Sequence, residues 1–106
     1  MRRSEIWWAK IPEPVGTRPV LLLTRDQAYN VRNAVTAATI TRTIRHIRSE
    51  VPIGKEDGMP DECVVNLDDI ITIRKVTLLE RITTLSPEKM NEVAKAISFA
   101  LDLKIR

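Results

Sequence analysis

The chain has 106 residues, of which 43% are hydrophobic and 29% charged, so it fits one globular domain and leaves no room for a second core. A net charge of +3 favours polyanionic partners without identifying one. A single cysteine, Cys63, excludes an internal disulfide and fits a reducing cytoplasm, and with only one histidine a zinc site is not expected. The apolar residues 6–11 are too few for a signal peptide or membrane span, so we expect a cytoplasmic protein.

Short apolar and β-branched runs separated by turn residues predict a series of strands. In chain order they cover residues 5–11, 19–24, 34–41, 51–53, 62–67, 70–73 and 78–84. Residues 54–60 carry two glycines, several charges and a proline, which predicts a loop, and residues 27–32 could form a short turn or helix. Short strands at this close spacing predict a small barrel or a strongly bent sheet.

One helix is predicted near the C-terminus. Ser86 is a good N-cap, Pro87 fits the first helical position, and Glu88 places a carboxylate at the positive end of the helix dipole. Apolar residues recur at helical spacing and should pack on the sheet, namely Met90, Val93, Ala94, Ile97 and Leu101. Lys104 and Arg106 suit the negative end of the dipole.

The turn-rich segment 12–19 leads into the apolar run Val20-Leu21-Leu22-Leu23. Pro19 fixes its own φ and biases Arg18 toward an extended backbone. We therefore expect Arg18 at the entrance to a strand covered on both faces, where it offers five fixed guanidinium donors to a phosphate. The alternative is a surface arginine paired with Glu5 or Glu13.

A second apolar run, residues 34–41, ends in Thr41, whose hydroxyl could face the same rim. This hydroxyl can donate to a phosphate oxygen or orient a ribose 2′-OH, but it is too weak an acid to act as a base unaided. Thr41 could also be an ordinary β-branched strand residue.

Four pieces of the chain, in this order, resemble the MazF/PemK family of toxin ribonucleases, the toxin half of bacterial toxin–antitoxin pairs. They are Arg3-Ser4-Glu5-Ile6-Trp7-Trp8; Thr17-Arg18-Pro19-Val20-Leu21; Ala37-Ala38-Thr39-Ile40-Thr41; and Val64-Val65-Asn66-Leu67-Asp68-Asp69-Ile70 with Leu85-Ser86-Pro87. The resemblance implies a mainly β (α+β) fold, an SH3-like small barrel of the MazF/PemK/CcdB type with a C-terminal helix, in a single domain spanning residues 1–106. It also implies a homodimer with a groove between subunits, and Arg18 and Thr41 as catalytic residues.

The function implied by this resemblance is that of a sequence-specific, metal-independent endoribonuclease, an mRNA interferase that needs no cofactor. It would cleave single-stranded RNA through 2′-OH attack and a 2′,3′-cyclic phosphate, and a cognate antitoxin with an acidic, partly disordered segment would neutralise it. Two alternatives stay open. One is a non-catalytic toxin on the same barrel that poisons a protein such as a topoisomerase, and the other is an RNA-binding domain without chemistry.

Residues 42–48 form the most basic stretch of the chain and are the predicted RNA-binding segment. A strand or ribbon there could align the charges along one side, in contacts that are blind to sequence and sensitive to salt. The predicted RNA-binding residues are Arg42, Arg45, His46 and Arg48. The alternative is a solvated basic loop.

The sequence does not identify a general base. Histidine is a common general acid or base, which makes His46 a candidate, although a lone histidine is more often a solvated loop residue or a phosphate contact. Asp26 follows the Pro19 strand, but capping a turn is its expected role. Trp7 and Trp8 should point to opposite faces of the first strand, so that one is in the core and the other is free to stack a base or join a dimer interface. The chain departs from the family in a shorter glycine loop before Arg18, and in Asp69-Ile70-Ile71-Thr72 where relatives often read Gln-Ile-Arg-Thr.

Overall fold

Residues 1–104, the part of the chain that the computed structural model describes, form six strands and one α-helix. The elements are β1 (Glu5–Ile11), β2 (Gly16–Leu22), β3 (Ala34–Thr41), β4 (Glu50–Ile53), β5 (Cys63–Arg74), β6 (Leu78–Thr84) and α1 (Pro87–Ala100). The strands are antiparallel and lie in the order β4-β5-β3-β2-β1-β6. This half-barrel with a C-terminal helix confirms the predicted fold class.

The strands β1, β3 and β6 have the predicted bounds, whereas β2 and β5 differ from the prediction. Strand β2 begins at Gly16, so Arg18 lies inside the strand, opposite Ala9 of β1, and not at its entrance. Strand β5 is one 12-residue strand, not two, because the predicted break is a β-bulge within it. Short 3₁₀ turns occupy Asp26–Asn30, Lys55–Asp57 and Lys75–Thr77.

Two apolar clusters, one on each side of the sheet, fix the position of β2. Leu21 belongs to the cluster that α1 covers through Val93, and Val20 and Leu22 belong to the second cluster, with Tyr29. Val20, Leu21 and Leu22 are all fully buried, which confirms a strand without a polar face. The polar beginning of β2 therefore emerges from the core immediately before Val20.

The helix begins as predicted. Ser86 is its N-cap, and the Ser86 hydroxyl oxygen accepts a hydrogen bond from the Lys89 backbone N–H at 3.1 Å. The helix ends at Ala100, so Lys104 lies beyond it, and Arg106 lies outside the described residues. Ala94 and Leu101, both predicted to pack on the sheet, are exposed, because the buried residues of the helix are Val93 and Ala96 and the helix ends before Leu101. No helix within residues 1–104 is both long and apolar enough to cross a bilayer.

Candidate active site

Strands β2 and β3 separate at one end of the sheet. They pair only at Val20↔Thr39, Leu21↔Ala38 and Leu22↔Ala37. Before Val20, strand β2 continues against β1, and after Thr39, strand β3 continues against β5. If the β2–β3 register is extended by two residues past the last pair, Arg18 stands opposite Thr41. The two predicted catalytic residues thus lie on the two strands that flank the split, and both line the groove there.

The split opens into a groove with a cavity volume of about 580 Å³. Both strands line it, together with β1 and the loop before β5. Its hydroxyl, charged, aromatic and thiol side chains are those of Trp8, Thr17, Arg18, Thr39, Thr41, Arg42, Thr43, Asp61, Cys63 and Asp69. The groove therefore combines hydroxyl and charged groups with apolar side chains such as Ile40 and Met59.

Arg18 is exposed in this groove, and within residues 1–104 its guanidinium makes no ion pair. Glu5, one of its predicted alternative partners, lies 3.6 Å from the Arg81 guanidinium and accepts a 2.9 Å hydrogen bond from the Trp7 indole. Glu13 does not pair with Arg18 either. The Arg18 donors are thus free to bind an anion.

Thr41 has a fixed hydroxyl position. Its Oγ1 accepts a hydrogen bond from the Thr43 backbone N–H at 3.1 Å, a local turn that orients the side chain. Because this contact uses an oxygen lone pair, the Thr41 hydroxyl proton can still be donated to a ligand. Arg18 and Thr41 together supply charged and neutral donors from opposite sides of the split.

A bulge in β5 brings an acid into the groove that the sequence analysis did not assign to the site. Ala38 pairs with Ile70 while the next residue, Thr39, pairs with Asn66, so residues 67–69 have no partner on β3. In this bulge the Asp69 Oδ2 accepts a hydrogen bond from the Thr39 hydroxyl at 2.8 Å. Thr39 could have been found from its i, i+2 spacing to Thr41, which puts both on one face of β3.

Of the predicted RNA-binding residues, Arg42 lines the groove. Its Nη2 lies 2.9 Å from the Asp61 Oδ2, and the two side chains are 80% and 55% exposed. An ion pair so open to solvent contributes little to stability and exchanges readily for another anion. Arg42 is thus available at the rim.

The rest of the predicted basic segment forms an irregular loop, which corrects the expectation of a strand or ribbon. The Glu50 Oε1 accepts the Arg45 backbone N–H at 2.9 Å, and His46 has a left-handed φ of 56°, so the chain turns back toward β4. The Arg48 guanidinium lies 4.3 Å from the centre of the Phe99 ring on α1. Arg45, His46 and Arg48 do not line the groove.

The two candidate proton-transfer residues, Asp26 and His46, do not line the groove. Asp26 accepts the Arg3 backbone N–H at 2.7 Å, and His46 lies outside the groove lining. Burial raises the pKa of the Cys63 thiol at the groove wall. No group of three or more His, Cys, Asp or Glu side chains within residues 1–104 is arranged to hold a metal ion.

The two tryptophans divide as the alternation of β1 predicts. Trp7 packs against the second apolar cluster, while Trp8 is 36% exposed and lines the groove. An exposed aromatic face next to free cationic donors suits a nucleic acid, since bases stack on aromatic rings.

Comparisons with known proteins identify the family of this chain. The family model for PemK-like, MazF-like toxins of type II toxin–antitoxin systems matches residues 2–101. The probable endoribonuclease MazF2 of Mycobacterium tuberculosis is 41% identical over 98 residues, covering 92% of this chain and 94% of that protein. Probable endoribonuclease MazF5 of the same species is 34% identical over 101 residues, covering 94% and 92%.

Two solved structures have the same fold over the whole chain. The Mycobacterium tuberculosis toxin MazF-mt6 has a TM-score of 0.88 and 34% identity, covering 95% of this chain and 99% of its own. A mycobacterial endoribonuclease in complex with its cognate antitoxin has a TM-score of 0.88 and 25% identity, covering 100% and 99%. This chain therefore belongs to the PemK-like, MazF-like toxin family of type II toxin–antitoxin systems.

Proposed function

We propose that the protein is an endoribonuclease toxin, an mRNA interferase that cuts single-stranded RNA in the groove between β2 and β3. The observation that carries this proposal is the position of Arg18 and Thr41 across the split, both with donors free for a phosphate. Relatives covering nearly the whole chain are named endoribonucleases, which supports the same activity.

The cleavage is a transesterification that these two residues can stabilise without a cofactor. The ribose 2′-oxygen loses its proton and attacks the adjacent phosphorus, and the bond from phosphorus to the 5′-oxygen breaks. The 5′-oxygen takes up a proton, which leaves a 2′,3′-cyclic phosphate and a 5′-hydroxyl end. Negative charge grows on the non-bridging oxygens, where the Arg18 N–H groups and the Thr41 hydroxyl donate. Because a guanidinium stays charged at physiological pH, Arg18 stabilises this charge and does not carry the proton.

We further propose that Arg42 contacts the RNA backbone at the rim of the groove, exchanging Asp61 for a phosphate. Arg45, His46 and Arg48, on the loop that follows, would contact RNA beyond the groove. Such contacts add affinity without sequence information.

The proposed partners follow from the charge of the groove. The exposed guanidinium groups of Arg18 and Arg42, with the basic loop that follows, would also attract an acidic, disordered antitoxin segment that folds on binding. One structural relative was solved with its cognate antitoxin. We propose that the active toxin is a homodimer in the cytoplasm, where RNA is available and the single thiol, Cys63, stays reduced.

The test is end analysis of a long synthetic RNA incubated in EDTA with antitoxin-free protein and with Arg18→Ala and Thr41→Ala. We expect discrete fragments with 5′-hydroxyl ends from the unmodified protein. Loss of one preorganised donor should slow cleavage by about 100- to 1000-fold. Arg18→Lys should restore little, because an ammonium cannot reproduce the planar fork.

The matched control is Arg32→Ala, which removes an exposed arginine outside the groove. This variant should cleave like the unmodified protein. RNA that stays intact with folded protein across varied substrates would contradict the proposal, as would cleavage that Arg18→Ala leaves unchanged.

A further inference from the structure

One carboxylate in the groove, Asp69, has no part in the cleavage chemistry proposed above. The second carboxylate that lines the groove, that of Asp61, is paired with the Arg42 guanidinium at 2.9 Å. Asp69 makes no ion pair within residues 1–104, and its Oδ2 is held by the Thr39 hydroxyl. A fixed anion in an RNA groove repels phosphates. Its partner on the substrate is therefore a hydrogen-bond donor, either a ribose 2′-hydroxyl or an N–H group of a base.

The pair formed by Thr39 and Asp69 presents acceptors only. An ionised carboxylate has no proton to donate, and the Thr39 hydroxyl proton is already used on the Asp69 Oδ2. A base edge that faces both carboxylate oxygens must offer two adjacent donors, since an acceptor there would be repelled. Guanine has such an edge in its N1–H and its N2 amino group. Adenine and cytosine set a ring-nitrogen acceptor beside their amino group, and uracil flanks N3–H with two carbonyls.

We propose that Asp69 determines the specificity of the cleavage by binding the Watson–Crick edge of a guanine, so that one position of the cleaved motif is guanine. Thr39 lies two residues from Thr41 on the same face of β3, about 7 Å along the strand. A nucleotide whose phosphate is held by Arg18 and Thr41 can span that distance. This inference rests on the proposed endoribonuclease function and deepens it.

The first arm of the test needs no variant. Cleavage of an RNA pool randomised around the cut is sequenced, and the resulting motif is then remade with inosine, which lacks only the N2 amino group of guanine. We expect guanine at one fixed position, and a roughly 10-fold slower cleavage with inosine there, the cost of one hydrogen bond to a charged acceptor. Replacement with 7-deazaguanine, which keeps the Watson–Crick edge, should leave the rate unchanged.

The second arm repeats the comparison with Asp69→Asn. An amide offers one donor and one acceptor, so guanine preference should fall by about 10- to 100-fold and adenine or cytosine should be accepted instead. The difference between guanine and inosine should disappear in this variant. Asp68→Asn is the matched control, because its carboxylate contacts the Ser49 hydroxyl and does not line the groove. It should keep the guanine preference, as should Asp61→Asn, which changes the groove charge equally.

The outcomes separate this inference from the proposed function. RNA left intact by the unmodified protein overturns the proposed function itself. Cleavage at a motif without a fixed guanine, or equal rates with guanine and inosine, overturns the role of Asp69 while the ribonuclease activity stands. Folded Asp69→Asn protein that is inactive on every sequence also overturns it, since a residue that reads a base changes which RNA is cut and not whether RNA is cut.

Discussion

The loop between β4 and β5 carries two glycines that look alike in sequence but should respond very differently to substitution. A Cβ built on Gly58 would lie 2.3 Å from the Thr83 Oγ1 and 2.8 Å from the Thr83 Cβ, at a left-handed φ of 91°. A Cβ on Gly54 would lie 2.5 Å from a Glu62 carboxylate oxygen. Gly54 has an extended backbone that any residue adopts, and the end of the exposed Glu62 side chain can move away.

Gly58→Ala should therefore destabilise the fold, and Gly54→Ala should not. The left-handed backbone costs a residue with a Cβ about 1–2 kcal/mol. Moving Thr83 aside also removes the 2.9 Å hydrogen bond from its hydroxyl to the Asp57 carbonyl, a loss of about 1 kcal/mol. We expect Gly58→Ala to lower the free energy of unfolding by about 2–3 kcal/mol and the Tm by roughly 10–20 °C. Gly54→Ala should change the free energy by less than about 1 kcal/mol.

The assay is urea unfolding followed by circular dichroism, with both variants and Thr83→Ala in each background. Thr83→Ala alone should cost about 1 kcal/mol, and less in the Gly58→Ala background, because the hydrogen bond is already lost there and part of the overlap is relieved. Equal effects of the two glycine substitutions, or strict additivity of Gly58→Ala with Thr83→Ala, would refute the reasoning. The same loop continues into Met59 and Pro60 at the groove wall, so Gly58→Ala should also weaken RNA cleavage.

Two further predictions concern titration and salt. Burial raises the pKa of Tyr29 from 10.0 to about 12, so the unfolded chain loses this proton first, and stability should fall as the pH rises from 10 toward 12. Tyr29→Phe should reduce the fall of the urea midpoint with pH over that range. A fall as steep as that of the unmodified protein would contradict the attribution to Tyr29. In RNA binding, Arg42→Ala should lower the slope of log Kd against log salt concentration by about 1. Arg48→Ala should lower this slope by less, because the Arg48 guanidinium is held on the Phe99 ring. Equal slopes for the two variants would contradict this ranking.

Much of the fold follows from local pattern. Residues 34–41 and 78–84 are rich in β-branched and apolar residues, and Ser86-Pro87 marks a helix start, so these elements could be placed from the sequence. Strand β5 could not, because Asp68 and Asp69 interrupt its apolar pattern as a turn would. Only the pairing with β3 shows that the chain stays extended through them and bulges.

The candidate site, like the fold, could be predicted from the sequence only in part. The chain pattern and the family resemblance indicate Arg18 and Thr41, but the separation of β2 and β3 beyond Val20 and Thr39 depends on how four strands pair. For residues 42–48 the sequence left a strand and a solvated basic loop open, and the structure shows the loop. Its shape depends on the buried Glu50 carboxylate, which accepts a hydrogen bond from the Arg45 backbone N–H. The composition of the segment does not reveal such a contact with a buried side chain.

The groove lies where two strand pairings are interrupted near Thr39, the pairing of β2 with β3 and that of β3 with β5. Beyond the Val20–Thr39 pair, β2 and β3 no longer pair with each other, and Pro19 has no N–H with which to continue the ladder. One strand further along, the β5 bulge frees Asp69 from the ladder. A regular sheet would have closed both gaps with hydrogen bonds and left only side chains exposed. The irregular end instead brings Arg18, Thr41 and Asp69 into one groove, so that the proposed phosphate binding and base recognition involve adjacent parts of it.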